Sequence, residues 1–236
     1  MKCLAITTFN DAGRKLYGDR MAASFRANWP IPLRVYSEGF AGDVDLISAS
    51  PWLADFKDRN RSRPVTDYRF DAVRFAHKVA SVCHAAREDV DFVIWVDGDT
   101  FTHSPVSEAD IAGMLPGFCQ WIAWLDRVKL YPECGFFVLN CRHPRHAEMI
   151  DQFERMYSED RLYSLPEYHD SFVLEHVVKS SGIATTSLSG EGYRTSHPFI
   201  NGPLGRWMDH MKGPRKNKGR TPARERVVKD GSDYWK

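Results

Sequence analysis

Apolar residues along this chain gather in short runs that alternate with longer stretches of helical periodicity. Four stretches, 11–28, 70–88, 143–157 and 169–181, carry apolar residues at helical spacing and predict helices. Residues 51–66 predict a polar loop, and from about residue 190 onward the periodicity is lost. The predicted strands are the runs CLAITTF (3–9), LRVYS (33–37), DVDLIS (43–48), FVIWV (92–96), QWIAWLD (120–126) and CGFFVLN (134–140).

The run FVIWV is apolar at every position and lacks the alternation of a strand that has one face in water. Such strands belong to sheets covered on both faces, and strands that alternate with helices form mainly parallel sheets. We therefore predict an α/β fold with a mainly parallel central sheet flanked by helices. Strand 92–96 should be central in that sheet, and helix 70–88 should pack on it.

The composition is that of an ordinary globular protein and does not indicate a binding partner. The 236 residues suffice for a sizeable core, and 43% hydrophobic with 27% charged residues is an ordinary globular balance. Since 32 basic residues nearly cancel 31 acidic ones, global charge indicates no partner. The N-terminus lacks the apolar length of a signal peptide, no apolar run approaches a membrane span, and five scattered cysteines favour reduced thiols. We expect a cytoplasmic protein without a transmembrane segment.

Strand 92–96 leads directly into Asp97-Gly98-Asp99. In open α/β sheets, ligands bind beyond the carboxyl ends of the strands, and a glycine lets the backbone turn tightly and approach a ligand. Two carboxylates this close repel each other unless a cation lies between them, and a hard divalent ion meets that need. The alternative is a polar turn at the end of a strand, where Asp and Gly are common.

A second polar segment, HMKGPRK (210–216), has the spacing H-x-x-G-P-x-K. The neutral imidazole of His210 is a metal ligand, Gly213 permits close backbone approach, and Lys216 supplies positive charge for a phosphate oxygen. A diphosphate leaving group requires this chemistry, because its charge must be neutralised as the bond breaks. The alternative is a basic, solvated tail.

Two more segments place polar residues beside predicted elements. Glu133 and Gly135 stand at the start of strand 134–140, and His169 and Asp170 begin helix 169–181, where Asp170 is either a catalytic carboxylate or only a helix cap. We expect no zinc site nearby, because cysteines an odd number of positions apart on a strand face opposite sides. The residues of that rejected site are Cys134, Cys141, His143 and His146.

Together these segments resemble a small GT-A glycosyltransferase of the family-8 type, which includes glycogenin and lipopolysaccharide galactosyltransferases. IWVDGDTFT is similar to that family's apolar strand and D-x-D motif, and PECGFFVLN to its N-[SA]-G strand. YHDSFVL stands where the family has the start of its D-Q-D helix, and HMKGPRK matches H-x-x-G-x-x-K. Order and approximate spacing agree over residues 1–216, which we expect to form one Rossmann-like GT-A catalytic domain followed by a basic tail, 217–236.

The resemblance implies roles for these residues. A Mn²⁺ or Mg²⁺ ion would be held by Asp97, Asp99 and His210, and His169 and Asp170 would be the catalytic candidates. The donor would be a nucleotide-diphospho sugar, most often a UDP-sugar. Arg74 and Lys78 lie one turn apart and either reach the donor or form an exposed helix face. The residues implied to contact the donor are Thr7, Thr8, Phe9, Arg74, Lys78, Asp97, Gly98, Asp126, Glu133, Gly135, Lys212, Gly213 and Lys216.

Three departures from the family pattern leave the stereochemistry open. Glu133-Cys134 replaces Asn-Ser or Asn-Ala, Asn217-Lys218 replaces Pro-Trp, and the glutamine of D-Q-D has no clear counterpart. A retaining enzyme needs no base opposite the leaving group. An inverting one needs a carboxylate near the acceptor hydroxyl, and Asp170 is the candidate.

The basic tail suggests an anionic partner. Lys218, Arg220, Arg224 and Arg226 are either a solvated appendage or a binding strip for an anionic acceptor, such as a phosphorylated glycan, a membrane surface or hydroxymethylated DNA. The acceptor would otherwise be a glycan or another hydroxyl compound. A non-enzymatic nucleic-acid-binding module explains the tail and leaves the Asp-Gly-Asp strand without a role.

A haloacid-dehalogenase-like phosphatase is the other alternative, since such enzymes also place D-x-D after a strand. That motif opens the first strand of its family and has Thr or Val at the fifth position. Here Phe101 stands at that position, and about 90 residues of α/β pattern precede the motif. The sequence therefore favours the glycosyltransferase.

Overall fold

A seven-stranded sheet forms the centre of the computed structural model, which describes residues 1–190 and 197–217. Its strand order is β3-β2-β1-β4-β7-β6-β8. The neighbours β3/β2, β2/β1, β1/β4 and β6/β8 are parallel, whereas β7 runs antiparallel to both β4 and β6. These strands are β1 Cys3–Asn10, β2 Leu33–Glu38, β3 Val44–Asp45, β4 Phe92–Val96, β6 Ile122–Arg127, β7 Leu130–Asn140 and β8 Thr185–Ser187. The predicted α/β fold with a mainly parallel sheet is confirmed.

Helices cover both faces of this sheet. The first two, α1 and α2, continue into each other through a π-helical segment, Arg14–Gly18, so the predicted helix 11–28 is present. Short 3₁₀ segments span Tyr68–Phe70, Arg161–Ser164, Pro203–Arg206 and Gly213–Asn217. The helices are α1 Asp11–Gly13, α2 Asp19–Asn28, α3 Leu46–Ala49, α4 Trp52–Asn60, α5 Ala72–Ala85, α6 Glu108–Met114, α7 His146–Ser158, α8 Asp170–Ser181 and α9 Pro198–Asn201.

Strand β4 is buried on both faces, as its uninterrupted apolar sequence predicts. Val93 and Trp95 pack with residues of α5, α7 and α8 in one core cluster. Ile94 and Val96 point the other way and pack with residues of α2, α6 and α9 in a second cluster. The sheet is therefore the middle layer of three.

Two local predictions are wrong. Residues 51–66 are not a loop throughout, since α4 occupies Trp52–Asn60 and buries Leu53 and Phe56 completely. Its apolar positions are too few among charged residues to stand out as a periodic pattern. The run 43–48 is a strand only at β3, because the Asp45 side chain accepts a hydrogen bond from the Ser48 amide and caps helix α3.

A second, two-stranded sheet determines where the C-terminal segment lies. Strand β5, Thr100–Thr102, pairs antiparallel with β9, Met208–His210, and Thr100 is opposite His210. Residues more than a hundred positions apart thus meet directly after Asp99. Sequence patterns did not predict either strand, because three residues carry no usable periodicity.

In the part of the chain that the structure describes, no helix has the length and apolarity needed to cross a membrane. The five cysteines, all of which lie in that part, are free thiols.

Candidate active site

Asp97 and Asp99 stand at the carboxyl end of β4, where Asp97 N donates to the Gly135 carbonyl at 2.9 Å. His210 reaches the same point from β9, and the Met211 amide fixes the junction by donating to the Asp99 carbonyl at 2.9 Å. His210 Nε2 lies 3.1 Å from Asp99 Oδ1 and 3.6 Å from Asp97 Oδ2. The structure thus brings together the three residues predicted as metal ligands.

The geometry of this trio fits a divalent cation. One ligand atom from each of Asp97, Asp99 and His210 lies within 4.8 Å of the other two. Two carboxylate oxygens with one imidazole nitrogen suit Mn²⁺, and carboxylate oxygens also suit Mg²⁺. The two aspartates keep part of their surface exposed while His210 is buried, so the group opens on the aspartate side.

Gly135 is required for this arrangement. A Cβ atom at position 135 would lie 2.6 Å from His210 Cε1 and 2.9 Å from Nδ1, closer than real contacts allow. The glycine of the PECGFFVLN segment therefore makes room for the imidazole. Gly98, between the two aspartates, is equally crowded. A Cβ atom at position 98 would lie 2.8 Å from the Phe9 ring and 3.2 Å from the Tyr17 ring.

Glu133 lies beneath His210, where it is buried among His210, His197 and the partly exposed Lys212. Its carboxylate is 3.0 Å from His210 Nδ1, 3.1 Å from His197 Nδ1 and 2.7 Å from Lys212 Nζ. Burial raises the pKa of Glu133, but His197, Lys212 and His210 outweigh it and hold that pKa well below its usual range. Glu133, with 2% exposure, therefore lies behind the metal group and not on its open side.

Lysines compensate the charge of the two aspartates. Lys216 Nζ lies 3.0 Å from Asp99 Oδ2. Burial opposes ionisation of Asp99, yet the nearby charges of His210 and Lys216 hold its pKa below the ordinary value. Asp97 accepts hydrogen bonds from Trp95 Nε1 at 2.7 Å and from Lys78 Nζ at 3.1 Å. The repulsion expected between the aspartates is thus relieved by protein groups.

Lys78 is buried between two carboxylates, and the exposed-face alternative does not hold for it. Its Nζ is 2.6 Å from Asp170 Oδ2 as well as 3.1 Å from Asp97. Burial lowers the pKa of Lys78, but Asp170 and Asp97 outweigh that effect and raise it. Arg74, one turn earlier, is exposed, and its guanidinium lies 5.7 Å from the Phe75 ring centre.

Asp170 begins α8 but does not cap it with its side chain. The N-cap residue is His169, which makes no side-chain capping bond, whereas the Asp170 carboxylate pairs with Lys78. His169 is only 2% exposed, and its Nε2 lies 3.0 Å from Glu167. Burial lowers the pKa of His169. Of the two residues, Asp170 is therefore in contact with the site and His169 lies behind it.

Aromatic rings line the carboxyl end of β1 beside the metal group. Phe9 stacks on Phe40 with ring centres 5.8 Å apart, and meets Tyr17 edge to face at 6.4 Å. Lys216 Nζ lies 5.0 Å from the Tyr17 ring centre. We call Phe9, Tyr17 and Phe40 the aromatic wall. Tyr17 and Phe40 were not predicted, since neither stands in a recognisable motif.

Other predicted site residues have less direct positions. Thr7 is fully buried, and Thr8 donates its hydroxyl to the Tyr36 carbonyl at 2.9 Å. Asp126, at the end of β6, accepts a hydrogen bond from the Ser187 hydroxyl. Gly213 adopts φ +56°, which explains a glycine there. His197 and Trp95, which touch Glu133 and Asp97, had no signal in the sequence.

Two groups of side chains in the described residues bring metal-ligating atoms together. Within 1–190 and 197–217, the groups able to hold a metal are Asp97, Asp99 and His210, and a second trio that shares His210 with Glu133 and His197. Lys212 lies 2.7 Å from Glu133 in the second trio and already neutralises it. The first trio is therefore the better candidate.

Comparison with known proteins connects this geometry to a fold. No protein-family model matches the chain, and no curated protein matches it in sequence. The galactosyltransferase LgtC, solved with donor and acceptor sugar analogues, superposes with a TM-score of 0.50 over 89% of this chain and 87% of its own, at 13% identity. Mouse xyloside xylosyltransferase 1 gives 0.52 over 80% of this chain and 86% of its own, at 9% identity.

The chain has the GT-A fold. A third similar structure, the bifunctional glycosyltransferase WbbM, gives a TM-score of 0.50 at 12% identity over 80% of this chain. The superposed part covers only 39% of that larger protein. At such low identity the likeness concerns the fold, and the fold is what the motif resemblance predicted. A first-strand position of Asp-Gly-Asp, which the phosphatase alternative requires, is excluded because β4 follows three other strands.

Proposed function

We propose that this GT-A domain is a metal-dependent glycosyltransferase that moves a hexose or pentose from a nucleotide-diphospho sugar to a hydroxyl acceptor, with UDP as the nucleotide to test first. The observation that carries the proposal is the convergence of Asp97, Asp99 and His210 at the carboxyl end of β4. Ligands of open α/β sheets bind at such strand ends. The same fold in three glycosyltransferases supports the assignment.

Asp97, Asp99 and His210 would hold a Mn²⁺ or Mg²⁺ ion, which would neutralise charge on the diphosphate leaving group. Glu133 lies beside Nδ1 of His210 and so directs Nε2 toward the aspartates, where the ion would displace the Nε2 proton. We propose Glu133 as a residue that orients a metal ligand, and not as a contact to the donor sugar.

Lys216 would supply a second positive charge to the diphosphate. Its Nζ already lies beside Asp99, on the side of the aromatic wall. Gly213 and Lys212 come from the same segment, and Lys212 holds that segment against Glu133. The aromatic wall offers ring faces for a nucleobase, and Arg74 is an exposed cation within electrostatic reach of Tyr17.

Asp170 is proposed to hold Lys78 in place beside Asp97. The ion pair occupies its carboxylate, so a role as general base requires that pair to open during the reaction. His169, buried behind Asp170, would act only through its neighbours. The choice between retaining and inverting chemistry therefore rests with an experiment on product stereochemistry.

No observation on the described residues supports the phosphatase or the nucleic-acid-binding module. The basic residues that suggested nucleic acid, Lys218, Arg220, Arg224 and Arg226, lie outside the described part of the chain. The division into a catalytic domain, 1–216, and a basic tail, 217–236, stays a prediction.

The proposal is tested by a thermal-shift panel of UDP-, GDP-, CDP- and TDP-sugars, each with and without Mn²⁺. A ligand that binds the native state raises the melting temperature by mass action. We expect one nucleotide class to stabilise the protein only with metal, and Asp99→Asn to abolish that stabilisation. Asp58→Asn, at an exposed position on α4, is the matched control and should keep it. Failure of every nucleotide to stabilise the wild type would overturn the proposal.

A further inference from the structure

Two tyrosines from distant segments meet on the surface beside the site. The Tyr68 and Tyr131 hydroxyl oxygens lie 2.7 Å apart and are exposed to solvent. Tyr68 belongs to the 3₁₀ turn before α5, and Tyr131 to the first residues of β7. Tyr68 has 52% of its surface exposed, which is unusual for a large ring that makes a specific hydrogen bond. We call the two residues the tyrosine pair.

The tyrosine pair packs on His169, the residue that precedes Asp170. The Tyr131 ring centre lies 4.3 Å from that of His169, and the Tyr68 ring centre lies 5.8 Å from it. His169 is followed by Asp170, which pairs with Lys78, and Lys78 pairs with the metal-ligand candidate Asp97. The tyrosine pair is thus linked to the site through His169, Asp170 and Lys78, whereas the aromatic wall proposed for the base contacts the site at Lys216.

Exposed apolar side chains concentrate on the same two segments. Val65 precedes Tyr68 and is 55% exposed, and Val128 and Leu130 beside Tyr131 are each 44% exposed. Arg127 adds a cation here, with its guanidinium 5.0 Å from the Tyr131 ring centre and its Nε donating to the Tyr131 carbonyl at 2.8 Å. An exposed apolar cluster rimmed by polar groups is typical of a binding surface.

The chemistry of the tyrosine pair suits a sugar ring. A pyranose has an apolar face of C–H groups and a rim of hydroxyls, and a tyrosine ring offers a flat apolar face with a hydroxyl at its edge. The mutual hydrogen bond uses one of the two tyrosine hydrogens, so one donor remains for a ligand hydroxyl.

We propose that Tyr68 and Tyr131 form the acceptor site and bind a carbohydrate acceptor, with one sugar ring on the exposed face of Tyr68. This inference rests on the proposed function and names its acceptor class. The acceptor hydroxyl would approach the donor sugar from the Asp170 side, while the nucleotide lies on the side of the aromatic wall.

The test uses three variants and a glycan array probed with fluorescently labelled protein in the presence of UDP and Mn²⁺. Tyr68→Ala removes the ring, Tyr68→Phe removes only the hydroxyl, and Phe118→Ala removes an 83% exposed ring on the loop after α6 as the matched control. We expect Tyr68→Ala to lower apparent glycan affinity about tenfold or more, as for truncation of a central aromatic anchor. Tyr68→Phe should lie between it and the wild type, and Phe118→Ala should match the wild type.

Calorimetry with UDP and Mn²⁺ on the same proteins distinguishes failure of the acceptor site from failure of the proposed function. Unchanged UDP binding in all variants together with glycan loss in Tyr68→Ala supports the acceptor site. Glycan binding that survives Tyr68→Ala, or a wild type that binds UDP and Mn²⁺ but no glycan, overturns the acceptor site alone. Vesicle binding that is lost in Leu130→Ser but kept in Tyr68→Ala would also overturn it in favour of a membrane contact. A wild type that binds none of UDP, GDP, CDP and TDP overturns the proposed function and the acceptor site together, whereas a wild type that binds another nucleotide in place of UDP is probed on the array with that nucleotide.

Discussion

The Glu133 carboxylate lies 3.0 Å from Nδ1 of His210, while Nε2 of the same ring lies 3.1 Å from Asp99. A carboxylate beside Nδ1 accepts its proton, so Nε2 is the nitrogen that faces the two aspartates. Burial lowers the pKa of His210, but Asp99 and Glu133 outweigh it and raise that pKa, so a bound metal ion would have to displace a proton from Nε2. Carboxylates that orient metal-binding histidines in this way contribute to metal affinity although they never touch the ion. Glu133, which stands where the resembling family has asparagine, therefore has a role in orienting His210.

We expect Glu133→Gln to weaken Mn²⁺ binding by about 10- to 100-fold, the usual effect of losing such a supporting group. Calorimetry with Mn²⁺ measures the affinity, and ¹⁵N NMR of the His210 ring reports which nitrogen carries the proton. Glu148→Gln, at an exposed position on α7, should leave both readouts unchanged. Wild-type Mn²⁺ affinity and an unchanged His210 tautomer in Glu133→Gln would show that the contact is incidental.

Gly135→Ala tests the close approach of β7 to His210. The added methyl would lie 2.6 Å from the imidazole, so His210 must move and the metal group should be disrupted. We expect the Mn²⁺ affinity to fall about tenfold or more, since displacing a metal ligand weakens a site at least as much as removing a residue that orients that ligand. Gly113→Ala is the control, because a Cβ there meets no atom within 4 Å. A Gly135→Ala protein with normal Mn²⁺ affinity would refute the steric argument.

Lys78→Met should destabilise the fold. It leaves Asp97 and Asp170 without their shared cation, and breaking a buried ion pair from one side costs about 3 kcal/mol. Urea unfolding measures the change. Lys179→Met, which removes an exposed lysine from its pair with Glu175 on α8, should cost about 0.5 kcal/mol or less. Equal effects of the two substitutions would mean that Lys78 is not held as the structure shows.

His146 should make stability depend on pH. Trp121 Nε1 donates to His146 Nδ1 at 3.0 Å, and Nε2 donates to the Ala86 carbonyl at 2.8 Å, so only the neutral ring satisfies both partners. Burial lowers the pKa of His146 below its ordinary value of about 6.5. The unfolded chain therefore binds a proton that the native state does not, and stability should fall as the pH drops through about 6.5.

Urea unfolding between pH 8 and pH 5 measures that dependence. His146→Leu removes one titrating ring and should make the curve less steep, although burial also lowers the pKa values of His169 and His197, which keep part of the slope. The control His176→Leu, at an exposed position on α8, should keep the wild-type slope. A wild-type curve that is no steeper than that of His146→Leu would contradict the assignment.

The sequence predicted the parts of the fold that have strong local patterns. The uninterrupted apolar run 92–96 identified the central strand, and the long periodic stretches identified α5, α7 and α8. Asp97, Asp99 and His210 were predicted as one site through motif resemblance, because no local pattern links residues more than a hundred positions apart. The pairing of β5 with β9, which brings them together, arises from tertiary contacts of two very short strands.

Other features could not be predicted because they depend on burial. Lysines on helices are mostly exposed, so nothing in the sequence distinguished the buried Lys78 from the exposed Arg74. Glu133 was expected near the donor sugar, and only the structure reveals that His197, His210 and Lys212 surround it. Ring faces at Tyr17, Phe40 and Tyr68 likewise become a surface only when the chain is folded.

Calorimetric titration of UDP into wild type and Asp99→Asn, each with and without Mn²⁺, tests the central claim most directly. Asp99→Asn keeps the shape of the side chain but removes the anionic oxygen that a hard cation requires. We expect UDP to bind the wild type at least about tenfold more tightly with Mn²⁺ than without it, a difference of about 1.4 kcal/mol, and the variant to show no such difference. UDP affinity that is the same with and without Mn²⁺ in the wild type, or a Mn²⁺ effect that survives in Asp99→Asn, would contradict a metal site built on Asp97, Asp99 and His210.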